Sequence, residues 1–163
     1  MTSQAEIRAR FWNALKKDRT IMLGLEGAGA GDIQPMTALI EDKDEEGGPL
    51  WIFTARDSDL VGALGTSARA IAAFASKGHD LFASIHGTLT LDTDRATIDR
   101  LWNPWVAAWF EGGKDDPKLA LLRLDPEQAK IWLNATTFEA ATQWLFGRDP
   151  KQEYRDKVAE VSL

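Results

Sequence analysis

Residues 81–92, LFASIHGTLTLD, set apolar and polar side chains in period-two alternation about a central glycine. That pattern belongs to a strand with one buried face, and a glycine inside it marks a bend or a close backbone approach. One long bent strand is therefore expected from Leu81 to Asp92. Shorter apolar runs surround it at Thr20–Leu25, Pro35–Ile40, Leu50–Ala55, Ala68–Ala75, Leu119–Leu124 and Lys130–Leu133, the last two separated by the turn DPEQ. Helical patterns fall around them. Ile7, Phe11, Ala14 and Leu15 form one stripe over residues 4–17, which Asp18 closes. Ser58 reads as an N-cap, with Asp59 in the first turn of a short helix that runs to about Leu64 and ends at Gly65. Asp94 caps Arg95–Leu101, whose apolar face is Ile98, Leu101 and Trp102, and Asn103-Pro104 breaks that helix. The stretch WVAAWFEGGKDDP reads as an aromatic loop or irregular helix, Thr136–Phe146 as a further helix, and the polar tail of residues 148–163 as a terminal helix or a frayed end. Six or seven strands in sequential order, with helices at the start, between strands and at the end, predict a mainly β fold. The architecture is an antiparallel β-barrel flanked by α-helices, not a doubly wound parallel sheet.

A chain of 163 residues fits one domain, residues 1–163. At this size about 70% of the unfolded surface is buried, so a single core suffices without staples. There are no cysteines, which excludes disulfides and thiolate metal sites. No apolar run approaches the ~20 residues of a spanning helix. The N-terminus MTSQAEIRARFW is charged and amphipathic, without the apolar core of a signal peptide, so a cytoplasmic protein is expected. A net charge of −6 argues against sequence-independent binding to nucleic acid or to an anionic membrane, both of which need clustered Lys and Arg. Seven tryptophans are many for this length, and five of them, Trp102, Trp105, Trp109, Trp132 and Trp144, lie in the C-terminal half. They read as core or subunit contacts, with one or two free to line a planar ligand.

The segment from Gln34 to Ser58 carries the strongest functional signal. It reads QPMTALIE, an acidic turn DKDEEGG, then PLWIFTARDS. Exposed backbone at two adjacent strand ends, beside a helix start, can grip a flat phosphorylated cofactor. Other motifs read as structural. The glycine-rich GAGAGDIQ lacks the Lys-Ser/Thr of a phosphate loop and lies between two strands, so it is a loop. The acidic run Glu41–Glu46 lacks calcium-loop spacing and is a solvated turn. His79 is a loop residue; His86 precedes Gly87 in a strand and reads as structural or as a contact near the barrel mouth. No histidine pair has metal-ligand spacing, and Ser67, Ser76 and Ser84 lack the glycines of a nucleophile elbow.

The N-terminal helix, QPMTALIE, WIFTARDS, the glycine of SIHGTLTL, LWNPWVAAWFEGGKDDPKLALLRLDP and the tryptophan of AKIWLNA occur in an order and spacing that resembles the flavin-binding split-barrel superfamily of pyridoxamine 5′-phosphate oxidase. Within it the chain is most similar to the general stress protein branch. The resemblance implies a six-stranded split barrel, a homodimer with two-fold symmetry, and FMN (alternatively FAD) bound at the dimer interface. On that resemblance Gln34, Pro35, Met36 and Thr37 run under the flavin ring and phosphate arm, Phe53 and Thr54 face the cofactor, Ser58 opens the phosphate site, and Trp109 and Phe110 flank the ligand pocket. The chain departs from the family pattern where basic residues usually follow that serine. Asp59 and Leu60 stand there, and Gln34 replaces a basic residue at the start of the flavin strand. Arg56, Arg69 and Lys77 are the candidates to compensate a phosphate. The expected function is that of a low-specificity flavin oxidoreductase or a flavin carrier with a small-molecule redox partner. The alternative is a non-catalytic barrel whose cofactor is lost or altered to haem or a deazaflavin. Pyridoxamine phosphate oxidase activity itself is not expected, because the C-terminal stretch lacks the second, arginine-rich phosphate site.

Overall fold

A computed structural model of the chain describes residues 3–27, 31–41, 47–134 and 158–163. The expected helix over Thr136–Phe146, the middle of the glycine-rich loop and most of the acidic turn lie outside the described residues. Helix α1, Gln4–Asp18, starts at a capping box in which Ser3 and Glu6 each accept the other's backbone N–H, and it stops where Arg19 turns left-handed. Its apolar face, Ile7, Phe11, Trp12 and Leu15, is buried. The strands that follow are β1 (Thr20–Leu25), β2 (Gln34–Thr37) and β3 (Leu50–Ala55). Helix α2 (Asp59–Leu64) leads into β4 (Ser67–Ala75) and β5 (Leu81–Asp92). Helices α3 (Arg95–Leu101) and α4 (Pro104–Ala107) and a 3-10 turn (Gly113–Asp115) precede β6 (Leu119–Leu133), and β7 is Val158–Ser162.

All seven strands form one antiparallel sheet in the order β2-β1-β4-β5-β6-β3, with β7 added to β6. Alternate residues along β4, β5 and β6 bury Ala70, Ala72, Ile85, Leu89, Leu122 and Ile131 in one core, which α1 and α2 cover. The long bent strand expected over Leu81–Asp92 is present as β5. Two expectations are corrected around it. DPEQ is not a turn between two strands, because β6 runs unbroken for 15 residues. Its Pro126 sits opposite Gly87, where the β5–β6 register shifts by one residue, and a bulge is one of the few interior positions where a strand tolerates proline. The tail is neither helical nor frayed over its last residues. Val158 and Val161 have helical spacing, but Ala159 and Val161 share one strand face, and both are buried in β7 against the core.

The sheet curls until its two end strands meet. They touch at one isolated bridge, where Leu39 and Trp51 exchange N–H donations to each other's carbonyls at 2.8 and 2.9 Å. The strand expected over Pro35–Ile40 is thus shorter, ending at Thr37, with Leu39 as a separate bridge. Beyond the bridge the edges diverge, so the barrel is split. Its curl depends on Gly87, where a Cβ would lie 2.1 Å from the Asp125 carbonyl oxygen. Gly87→Ala is expected to lower stability by about 3 kcal/mol, because backbone must move to admit the methyl. Urea unfolding checks this, and an unchanged midpoint would show that the strands approach less closely.

Candidate functional site

β2 and β3 are the two ends of the sheet path. In an antiparallel ladder, residues that bond to their opposite neighbour alternate with residues whose N–H and C=O point away. Ala38 donates its N–H to the Arg19 carbonyl at 2.7 Å, so Ala38, Met36 and Gln34 bond toward β1. Pro35 and Thr37 then turn their backbone groups to the open edge, where proline's missing N–H costs no ladder bond. On β3, Arg56 donates to the Lys118 carbonyl at 2.6 Å, which assigns Arg56, Thr54 and Ile52 to β6 and turns Trp51, Phe53 and Ala55 outward. Trp51 spends its groups on the bridge to Leu39. The register of that bridge sets Thr37 opposite Phe53 and Met36 opposite Thr54, yet among the described residues no ladder joins these pairs. The peptide groups of Thr37 and Phe53 therefore line the split.

Side chains sort by face. Met36 leans on the main core, and Thr54 shares its inward face with the buried Ile52. Phe53 points outward into a second apolar cluster with Val106, Phe110, Leu119, Ile98 and Trp102. Its ring meets Trp102 edge-on at 6.1 Å and 88°. Gln34 is half-buried, whereas Pro35 and Thr37 are exposed. Of the expected site residues, then, Met36, Thr37, Phe53 and Thr54 come together at the split, and Phe110 joins Phe53 behind it. Trp109 does not pack with them; it is 83% exposed.

Ser58 caps α2, its hydroxyl oxygen accepting the Val61 N–H at 3.3 Å. Leu60 is a buried core residue, a setting that suits no charge, while Asp59 is exposed. The three candidate cations separate clearly. Arg69 is engaged by Glu26 and Glu127. Lys77 lies in the turn at the far end of β4, where its N–H donates to Asp18 at 2.8 Å. Arg56 alone stands beside Ser58, exposed, and directly across from it is Lys118, also exposed. Their backbones meet one residue beyond the last pair of the β3–β6 ladder, so both cations start from the strand ends next to Ser58. Sequence reasoning missed Lys118, because only the β3–β6 register brings it to Arg56. His86 pairs with Glu26. His79 occupies a turn with φ 55°.

The segment from α3 to β6 is held by polar ties. Asn103 accepts the N–H groups of Trp105 and Val106 at 3.0 and 3.1 Å, fixing α4. Lys114 and Arg95 both pair with Asp99, and Arg95 also reaches Asp115. The Lys114 ammonium, with Arg95 behind it, holds the Asp99 carboxyl below its ordinary value of 3.8. The Thr97 hydroxyl does the same for Asp94, and the backbone N–H groups of Lys118 and Gly112 for Asp116. A carboxyl that titrates lower when folded stabilises the fold above its unfolded value and loses that contribution as pH falls toward its folded one. The urea midpoint is expected to fall as pH drops below about 4, less steeply in Asp99→Asn than in the parent. Equal slopes would show that these ties do not persist in solution.

The full sequence matches the family model described as pyridoxamine 5′-phosphate oxidase like over residues 6–148. A crystal structure of a protein assigned to the general stress family in Xanthomonas campestris pv. campestris is 60% identical, covers 84% of this chain and 93% of its own, and superposes with a TM-score of 0.76. The general stress FMN/FAD binding protein of Xanthomonas citri is also 60% identical, with 81% and 92% covered and a TM-score of 0.75. General stress protein 26 of Bacillus subtilis (strain 168) is 29% identical over 52 residues, so that match spans 32% of this chain and 36% of that protein. With a split antiparallel barrel and this match along most of its length, the chain belongs to the pyridoxamine 5′-phosphate oxidase-like family, on its general stress protein branch.

Proposed function

We propose that this chain binds FMN, or alternatively FAD, along the split of its barrel in a homodimer. It would serve there as a low-specificity flavin oxidoreductase or flavin carrier. The observation that carries the reading is the pair of unbonded peptide edges at Thr37 and Phe53. A flavin ring has a polar rim of alternating donors and acceptors and two apolar faces. The split offers the complement: peptide N–H and C=O groups on both edges and the half-buried Met36 below them. The relative from Xanthomonas citri, named for FMN/FAD binding at 60% identity, supports the same ligand class.

The bound flavin would supply the redox chemistry, accepting and returning electrons through its own ring. The chain's residues have the remaining tasks. Gln34, Pro35, Met36 and Thr37 support the ring from β2, and Phe53 and Thr54 from β3. Ser58, whose oxygen already accepts from Val61, keeps its hydroxyl proton to donate to a phosphate. Arg56 and Lys118 take the place of the basic residues that Asp59 and Leu60 replace. A second reading, a barrel that keeps the fold without a flavin, draws on Asp57 and Asp59, two exposed carboxylates that flank Ser58 and oppose a phosphate.

Titration of free FMN and of riboflavin, followed by flavin fluorescence, separates the two readings. The flavin reading expects saturable FMN binding, with Arg56→Ala weakening FMN by about tenfold, the loss of one charge-assisted contact, and leaving riboflavin unaffected. No binding of either flavin by the folded protein would establish the second reading. Equal losses for both flavins in Arg56→Ala would show that Arg56 does not meet the phosphate.

A further inference from the structure

We propose that Arg100 and Glu41 are positioning residues of the flavin site: their ion pair is a tie that fixes the angle at which the two lips of the split open. This rests on the flavin reading above and adds the residues that hold the split at its width. Among the described residues the lips, β2 with its continuation and β3, hydrogen-bond to each other at the Leu39–Trp51 bridge alone. A single residue pair fixes a point and leaves the strands free to swing about it, because a ladder takes its direction from successive pairs. Thr37 and Phe53 lie on one side of the bridge, where the split opens. Glu41 lies on the other, two residues past Leu39 and so about 7 Å along an extended chain. A second attachment there fixes the angle, and with it the gap between Thr37 and Phe53.

Arg100 supplies that attachment. Its Nε and Nη2 donate to the two carboxylate oxygens of Glu41 at 2.9 and 3.1 Å, the two-pronged geometry in which an arginine–carboxylate pair is strongest and most directional. Glu41 begins the acidic run, yet its side chain is only 13% exposed, against 49% or more for Asp99, Asp115 and Glu160 in other ion pairs. Salt screens a partly buried pair less than an exposed one. The helix that carries Arg100 is itself fastened to the other lip. Ile98 and the capping Trp102 pack in one cluster with Phe53 of β3. Residues two apart on a helix do not share a face, so Arg100 leaves α3 on a different side from Ile98. The helix is braced as well: Asp94 caps it and accepts the Thr97 hydroxyl at 2.8 Å, and Asp99 pairs with Arg95 and Lys114. Phe53, Trp102, Arg100, Glu41 and Leu39 thus close a circuit from one lip to the other that bypasses the bridge. Lys114, Arg123 and Lys130, by contrast, pair within their own segment or with an adjacent strand.

Amide hydrogen exchange in the full chain reads the tie without any ligand. Arg100→Ala is expected to speed exchange of the Leu39 and Trp51 N–H groups by about tenfold, while the core amide of Ile85 changes far less. Arg100→Lys, which keeps the charge but loses the fork, should fall between the two. Arg95→Ala breaks an exposed ion pair of the same helix and should leave both bridge amides as they are. With ligand added, Arg100→Ala should weaken FMN and riboflavin alike, by about fivefold, because the split grips the ring they share. That separates it from Arg56→Ala, which spares riboflavin. Bridge amides that exchange in Arg100→Ala as in the parent would overturn the proposal. So would faster exchange with both flavins bound at parental affinity, and the flavin reading would then stand. A parent protein that binds neither flavin overturns the flavin reading and the positioning role with it, and faster bridge exchange would then mark a tie of the fold alone.

Discussion

The close approach of Gly87 to the Asp125 carbonyl is the constraint on which this structure turns. Two long paired strands, β5 and β6, approach there too closely for a Cβ at Gly87, and the register slips by one residue at Pro126. A bulge bends the strand that carries it and adds twist. The bend lets β6 serve two partners, β7 along its second half and β3 along its first. With β3 carried round in this way, the sheet nearly closes on β2 and touches it at the Leu39–Trp51 bridge. A flatter sheet would leave β2 and β3 far apart, and a fully closed one would bond Thr37 to Phe53.

The split therefore stores unsatisfied backbone. Open strand edges are a hazard, since they template pairing with other chains. Here the two open edges face one another, are short, and carry Pro35 at a position that bonds to nothing in β1. A flat ligand with a polar rim can satisfy such edges without becoming a strand. The electrostatics follow the same geometry. Arg56 and Lys118 are distant in sequence and become backbone neighbours because one hydrogen bond joins them just beyond the last β3–β6 pair, Ala55 and Leu119. The outer cluster of Phe53, Trp102, Val106 and Phe110 then ties the edge of β3 to the ion-paired segment that carries the exposed tryptophans.

Much of this was legible in the sequence, where one local pattern had one structural solution. The alternation over Leu81–Asp92 gave β5 within its observed bounds, Ser58 and Asp94 signalled helix starts through cap chemistry, and Asn103-Pro104 signalled the end of α3. What failed depended on partners distant in the chain. The DPEQ stretch has turn residues, and only the approach of Gly87 makes them a bulge. Val158 and Val161 fit a helix by spacing, and only an available edge of β6 makes that segment a strand. The candidate site divides in the same way. The edge strands were recognisable from composition and resemblance. The split-facing orientation of Thr37 and Phe53 follows from ladder alternation, the role of Arg56 over Arg69 from ion pairs, and Lys118 from register.

Amide hydrogen exchange resolved to single residues, with and without FMN, tests the central claim most directly. The account has the N–H groups of Thr37 and Phe53 exchanging fast in the free protein and slowing sharply when FMN is added, while Met36 and Thr54, already bonded within the sheet, change little. If FMN binds and protects other amides but leaves Thr37 and Phe53 as they were, or if those two are already protected without it, the split is not the flavin site.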